Sequence, residues 1–401
     1  MNLLVIAGRL ARRPWSAGAM AARLVNGLVE RGHAVNLICE CIEDEQQFAR
    51  AARVIARSPC RNGDSEFPAA FAFWALARSR TIPNDASLSL TRRAAGDVWM
   101  PLTPDAAAWT ASIRHTRSPI SFATSMARNA GVLLDAAAQA LSPIPQGPEI
   151  ERVICTGGPC VDAARSFAGQ AIADRVVRAP LTSELALPDE AARERLRVTS
   201  RSTLALAEHR LVLLSSFMAG SGRFLGGLLS ALASLNPAPG DQNGPALIVL
   251  TEEPYAAHAA AVRARCDRHV RILGTTSNPA PLFAACDAAA TCVPVGVDAF
   301  RFGSTCRFPA DAIRSGRPVL ALAGSSGTGA LGLATPDLAV PGLVVGTPSP
   351  TDWVRAINQA SDRSWLANAT HAAGRLAPQL EPSRLLDVVE NALQQAAQGA
   401  V

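Results

Sequence analysis

One arginine and two carboxylates stand where residue type and spacing suit binding of a small anionic molecule. Arg223 closes "GSGR" (220–223), a glycine turn that leads into an apolar helical pattern ending at Leu235. Gly220 and Gly222 leave backbone N–H groups open there. The positive end of the helix dipole adds to the guanidinium, which makes an anion site. The plain alternative is a solvated arginine. Asp298 follows an apolar strand in "PVGVDAF", and Asp311 stands in "PADAIRSGRPV", one and a half turns before Gly316. A carboxylate accepts two hydroxyl hydrogen bonds at once, so either acid suits a hydroxylated ligand. The plain alternatives are a helix-capping or solvated Asp311 and a loop acid at Asp298. Gly303 and Ser304, in "FGST" (302–305), form a second turn with N–H donors to offer.

Several chemistries are excluded by what is missing. All 38 basic residues are arginine, so neither a phosphate-binding P-loop lysine nor Schiff-base chemistry is available. The six histidines are scattered without ligand spacing, and no metal site is expected. No G-x-S-x-G elbow occurs. The nine cysteines contain no C-x-x-C pair; Cys39 and Cys41 alternate on one strand face and read as reduced core thiols. Hydrophobic residues at 49% against 18% charged describe large packed cores. With no bilayer-length apolar run and no signal peptide, a cytoplasmic protein is expected, with no nucleic-acid partner and at most peripheral membrane contact. The formal net charge of +5 arises within residues 1–180. That mild surplus suits an anionic ligand or membrane surface, and is also ordinary variation.

These residues need elements to hold them, and the chain alternates strands with helices throughout. An apolar strand (1–8), a helix over 16–33 stopped by Gly32 and a strand (34–40) make a βαβ opening, which demands a parallel sheet. The rhythm continues with strands at 97–102, 119–125 and 151–156, with helices from Pro104 and up to Leu141. It restarts after a charged helix (187–198). Strands at 209–217, 246–253, 269–274 and 288–295 follow, with helices at 222–235, from Tyr255 and at 310–314, and the segment 281–287 precedes the strand at 288–295. A strand after Pro318, another at 341–347 and helices at 350–360, 362–375 and 383–397 complete the series. This is an α/β chain of two Rossmann-like domains, with ligands expected at the strands' carboxyl ends in a cleft the domains face. Domain boundaries fall at 1–185 and 186–380, with 381–401 a helix returning to the first domain.

The second half resembles retaining glycosyltransferases of the GT-B fold, family 4 or group 1 type. That family carries "LYxxAD…PSxxEGFG…EAMAxGxPV", then "GLLV…D…LAxAI" and terminal helices. This chain offers "PLFAACDAAATCVPVGVDAF", "FGSTCRFPADAIRSGRPVLALAG", "GLVVGTPSPTDWVRAI" and "SRLLDVVENAL" in the same order over roughly 187–395. The first half is similar more loosely, through "AGAMAARLVNGLVERGHAV" (17–35).

The resemblance implies an enzyme that moves a sugar from a nucleoside-diphosphate-sugar donor to an acceptor of glycan or lipid-linked type, with retention and without metal or cofactor. Asp311 then takes the place of the acid that binds ribose and is expected to point to the open strand edge. Arg223 takes the place of the phosphate-binding lysine, and Asp298 that of the acid serving the sugar. The turns at Gly220–Gly222 and Gly303–Ser304 would contact the leaving diphosphate, and Gly18 would let the first domain approach the donor. The chain also departs from the family. Met218 stands where a second phosphate arginine is expected, and Gly303 where an acid eight residues before Asp311 is expected. "DVWMPLTP" (97–104) replaces a histidine segment, with His115 and Arg117 as loose substitutes. Either a five-residue insertion moved the acid to Asp298 or it was lost. The alternative function is therefore an inactive GT-B homologue that binds nucleotide or acts as a scaffold.

Overall fold

A computed structural model describes residues 1–10, 17–42, 45–48, 51, 53–57, 68–91, 96–100, 150–156, 174–180, 182–183, 185, 190–217, 225–236, 243–251, 254–274, 276, 278–292, 307–323 and 341–399. The chain divides into two compact units. Met1–Pro180 and Pro382–Val401 belong to the first, Leu181–Val295 and Cys306–Glu381 to the second.

The first unit holds strands β1 (Asn2–Leu10), β2 (Ala34–Ile42), β3 (Arg53–Ala56), β4 (Ala86–Ser89), β5 (Val98–Trp99), β6 (Arg152–Thr156) and β7 (Val176–Ala179). They form one parallel sheet in the order β3-β2-β1-β4-β5-β6-β7. β1 is apolar at nearly every position because both of its faces are covered. Leu3, Val5 and Ala7 join the core of α1 (Ala17–Glu30), while Leu4 and Ile6 pack with Phe71 and Ala75 of α2 (Pro68–Ser79). The long terminal helix, Pro382–Gly399, supplies Leu385, Val389, Leu393 and Ala396 to the α1 side of that core.

This terminal helix is also fixed by charge. Arg31, just beyond α1, donates to Glu390 Oε2 and to Asp387 Oδ1, both at 2.6 Å, and the His33 ring meets Glu390 Oε1 at 2.8 Å. Partial burial raises the Glu390 pKa, but hydrogen bonds from Arg31 and His33 outweigh it and hold the carboxyl below its ordinary 4.5. A carboxyl depressed by folding stabilises the fold above its unfolded pKa and loses that contribution as pH falls through the folded value. Glu390→Gln should therefore cost about 1 kcal/mol near neutrality. Denaturant titrations should show the gap to the wild type closing below pH 4.5. A gap that persists unchanged in acid contradicts this assignment.

The second unit holds α3 (Glu190–Thr203), β8 (Val212–Phe217), α4 (Gly226–Leu235), β9 (Ala246–Thr251), α5 (Pro254–Arg263), β10 (Val270–Leu273), α6 (Ala280–Ala285), β11 (Ala288–Thr291), α7 (Arg307–Arg314), β12 (Val319–Leu322) and β13 (Gly342–Val345). Three helices follow, α8 (Pro350–Ser361), α9 (Arg363–Leu376) and α10, the terminal helix described above. Its six strands run parallel in the order β10-β9-β8-β11-β12-β13. Both sheets thus reverse direction of growth beside their first strand, at β1/β4 and at β8/β11. Such switch points are where ligands bind in open α/β sheets.

Four elements of the first unit, β3, α2, β4 and β7, have no counterpart in the sequence reading, and the strand expected at 97–102 is only two residues long. The elements expected between 104 and 141 lie outside the described residues. One correction concerns Cys41, which is disulfide-bonded rather than a reduced core thiol. The other described cysteines (39, 155, 266, 286 and 292) are free and buried. Burial pushes the Cys286 thiol up to about 12, which leaves it inert as a nucleophile. Among the described residues, no helix is long and apolar enough to cross a membrane, and no cluster of His, Cys, Asp or Glu could hold a metal ion.

Candidate nucleotide site

The described part of the site centres on α7 and the strand that follows it. Ser315 N donates to Asp311 O, Gly316 N to Ile313 O and Arg317 N to Ala312 O, so the helix closes with Gly316 at φ +73°. A side chain is disfavoured at that angle, which is why glycine stands here. Pro318 then turns the chain into β12, whose four residues are all buried. α7 packs against α9, the turn 377–380, β11 and β12, so nearly its whole surface is internal.

Asp311 shares that burial. Its carboxylate is 1% exposed, closed from solvent rather than standing open at the strand edge as expected. Ser183 Oγ donates to Asp311 Oδ1 at 2.5 Å. Ser183 is itself fully buried; its N–H donates to Leu380 O at 2.8 Å, and its Oγ accepts from Leu185 N at 3.1 Å. Arg314 Nε, on the same helix as Asp311, donates to Leu185 O at 3.2 Å. The segment 182–185 is thus tied to α7 at two points. Nothing in the sequence reading singled out Ser183, because a serine beyond the last strand of one domain carries no local signal.

α4 is described from Gly226, at the β8/β11 switch point and within the helix expected over 222–235. Gly227 lies so close to the loop before α8 that an added Cβ would sit 1.9 Å from Pro348 O, well inside contact distance. The helix start is therefore clamped against the 347–353 segment by the absence of a side chain. In the first unit, Gly18 is buried in the first turn of α1, the next described element after β1. Arg223, Asp298, Gly220, Gly222, Gly303 and Ser304 lie outside the described residues, as do Met218, His115 and Arg117.

The opposite edge of the second sheet holds a buried charge network that sequence reading missed. Asp287, just before β11, accepts from Arg197 and Arg201 at 2.6 Å each and from Val212 N at 2.8 Å. The two arginines are one turn apart on α3, so one helix face presents both. Arg197 Nη1 and Arg201 Nε, with Arg317, take the carbonyls of residues 283–286 at the end of α6. Burial pushes the Arg317 guanidinium pKa down. The i,i+4 arginine spacing was the signal available for this network.

No family model matches the chain, and no curated protein matches it. Solved structures do. WaaG, a glycosyltransferase involved in lipopolysaccharide biosynthesis, is similar with a TM-score of 0.72 at 16% identity, covering 98% of this chain and 99% of that one. A glycosyltransferase from Rickettsia africae is similar with a TM-score of 0.67 at 10% identity, over 98% of both chains. HepE of Anabaena, in complex with UDP and glucose, is similar with a TM-score of 0.64 at 16% identity, over 98% of this chain and 99% of its own. At such identities the likeness is one of fold, and this chain has the GT-B fold of these glycosyltransferases, two Rossmann-like α/β domains in one polypeptide.

Proposed function

We propose that the chain is a glycosyltransferase that moves a sugar from a nucleoside-diphosphate-sugar donor to an acceptor of glycan or lipid-linked type. The observation that carries this reading is the likeness along 98% of the chain to a protein seen with UDP and glucose. Asp311 supports it, on the helix that Gly316 closes ahead of β12, in the position of the ribose acid. In this reading the transfer retains configuration and needs no metal. As the donor carbon gains positive charge, the leaving diphosphate gains negative charge. Arg223 and the N–H groups of turns 220–222 and 302–305 are the chain's means of stabilising it. Asp298 holds donor hydroxyls, Gly18 admits the donor's close approach, and exclusion of water prevents simple hydrolysis.

One observation favours the second reading, an inactive homologue that serves as a nucleotide-binding or scaffold protein. Asp311 at 1% exposure is already bonded to Ser183, as a purely structural acid would be. A ribose can meet it only after neighbouring chain has moved. Calorimetric titration of the full chain with UDP, GDP and ADP, and with their sugars, followed by an assay for nucleotide release, separates the cases. The transferase reading predicts saturable binding of one base and tighter binding of its sugar conjugate. Absence of binding by all of them removes it.

A further inference from the structure

We propose that the outward face of α5, with the arginines that follow it, is a docking surface for an anionic lipid bilayer. α5 packs against β9, β10 and α4, and of its residues only Ala257 and Ala261 are buried. A surface helix ordinarily turns polar residues to water and apolar ones inward. Here Tyr255, Ala256, Ala259 and Val262 are all exposed, and no Arg, Asp or Glu occurs from Pro254 to Val262. Tyr255, the chain's one tyrosine, is 91% exposed and Val262 49%. Seven residues apart, they share one helix stripe about 10 Å long.

Charge decides what covers this stripe. Arg263, Arg265 and Arg268 stand at the carboxyl end of α5 and just beyond it, all exposed, with Asp267 the one acid among them. Among the described residues, no carboxylate pairs with any of the three. An aromatic and aliphatic stripe that ends in unpaired arginines matches the boundary between acyl chains and anionic headgroups. Tyrosine is enriched at that depth, and each arginine near the surface adds attraction. A second copy of the chain would bring to this face the same three cations and a single acid. Glu252 and Glu253 precede the helix in sequence and lie outside the described residues, so the attraction belongs to the arginine end. Arg265 closes the helix at φ +59°, with its N–H on Val262 O and Cys266 N–H on Ala261 O. α1 and α7 end on glycine at this left-handed position, Gly32 and Gly316. An arginine is strained there, so Arg265→Gly removes a cation without weakening the fold.

The test is co-sedimentation of the full chain with phosphatidylcholine vesicles, with and without about 30% phosphatidylglycerol. The wild type should partition onto the anionic vesicles alone and leave them as salt is raised. Tyr255→Ser should weaken binding about tenfold. Arg263→Gln and Arg265→Gly should each weaken it about fivefold. Arg265→Gly should melt no lower than the wild type, so its loss of binding cannot come from unfolding. Arg375→Gln, at an exposed position of α9, should bind as the wild type does. Failure of the wild type to bind anionic vesicles overturns the proposal. Binding undiminished in Tyr255→Ser and Arg265→Gly also overturns it, by placing the contact elsewhere. An equal fall in Arg375→Gln overturns it by reducing the attraction to net charge. A wild type that is dimeric without lipid, and monomeric in Tyr255→Ser, gives the face to a second copy and overturns it as well.

Discussion

Replacing Asp287 with alanine is expected to destabilise the second unit by about 3–5 kcal/mol, because it leaves two guanidinium groups without their shared carboxylate. Arg201 is only 3% exposed and Arg197 is largely covered. Arg201 places Nε on Ala285 O and Nη1 among the carbonyls of residues 207, 208 and 210, so it cannot swing out to water without breaking those bonds. Asp287 also receives Val212 N, and its own N–H donates to Val212 O, so the change loosens the pairing of β8 with β11 at its start. For a unit of this size the loss corresponds to a fall in melting temperature of roughly 6–20 °C. Asp287→Asn should recover little, since its amide NH2 would face an arginine. The network lies at the amino ends of the strands, away from the ligand edge. Nucleotide affinity per folded molecule should therefore stay at the wild-type value. An unfolding free energy within about 1 kcal/mol of the wild type would mean the arginines find other partners.

The parts of this architecture that were legible in the sequence are those whose burial pattern is continuous. β1, β2, β8, β9 and β12 read as apolar runs because each is covered on both faces, and the glycine at 316 announced its helix end through backbone geometry alone. β3, β4 and β7 are four residues each and polar in part, with Arg53, Ser87, Ser89 and Arg178 among them. Their strand character comes from pairing with β2, β1 and β6, which no local pattern encodes. α2 carries a weak local signal for a similar reason: only Phe71 and Ala75 of its described side chains are fully buried, against the even face of β1. At the site, spacing singled out Asp311 but gave the wrong surroundings. An acid one and a half turns before a helix stop can face either way, and here the packing of α7 against α9, β11 and β12 turns it inward. Ser183 and Asp311 are 128 residues apart, so only the fold brings them together.

Asp311→Asn is the second change with a large expected effect. Asparagine keeps one carbonyl oxygen for the Ser183 hydroxyl and puts an amide NH2 in place of the second carboxylate oxygen. Ribose hydroxyls that donate to the ionised carboxylate would then meet a donor. Loss of a hydrogen bond to a charged group costs about 1.5–3 kcal/mol, or roughly 10–150-fold in nucleotide affinity. The fold should persist, because the buried bond from Ser183 survives. The scaffold reading predicts the reverse weighting, a clear loss of stability with nucleotide affinity unchanged. Calorimetric titration and a thermal melt on the same preparation distinguish the two.

The measurement closest to the central claim is release of nucleoside diphosphate by the full chain from UDP-, GDP- and ADP-sugars, followed over time against Arg223→Ala. The account predicts steady release from the sugars of one base, faster when an acceptor glycan or lipid-linked glycan is present, and lost in the variant. Release from none of the donors, by a chain that nonetheless binds the nucleoside diphosphates, would contradict sugar transfer and leave a nucleotide-binding scaffold in its place.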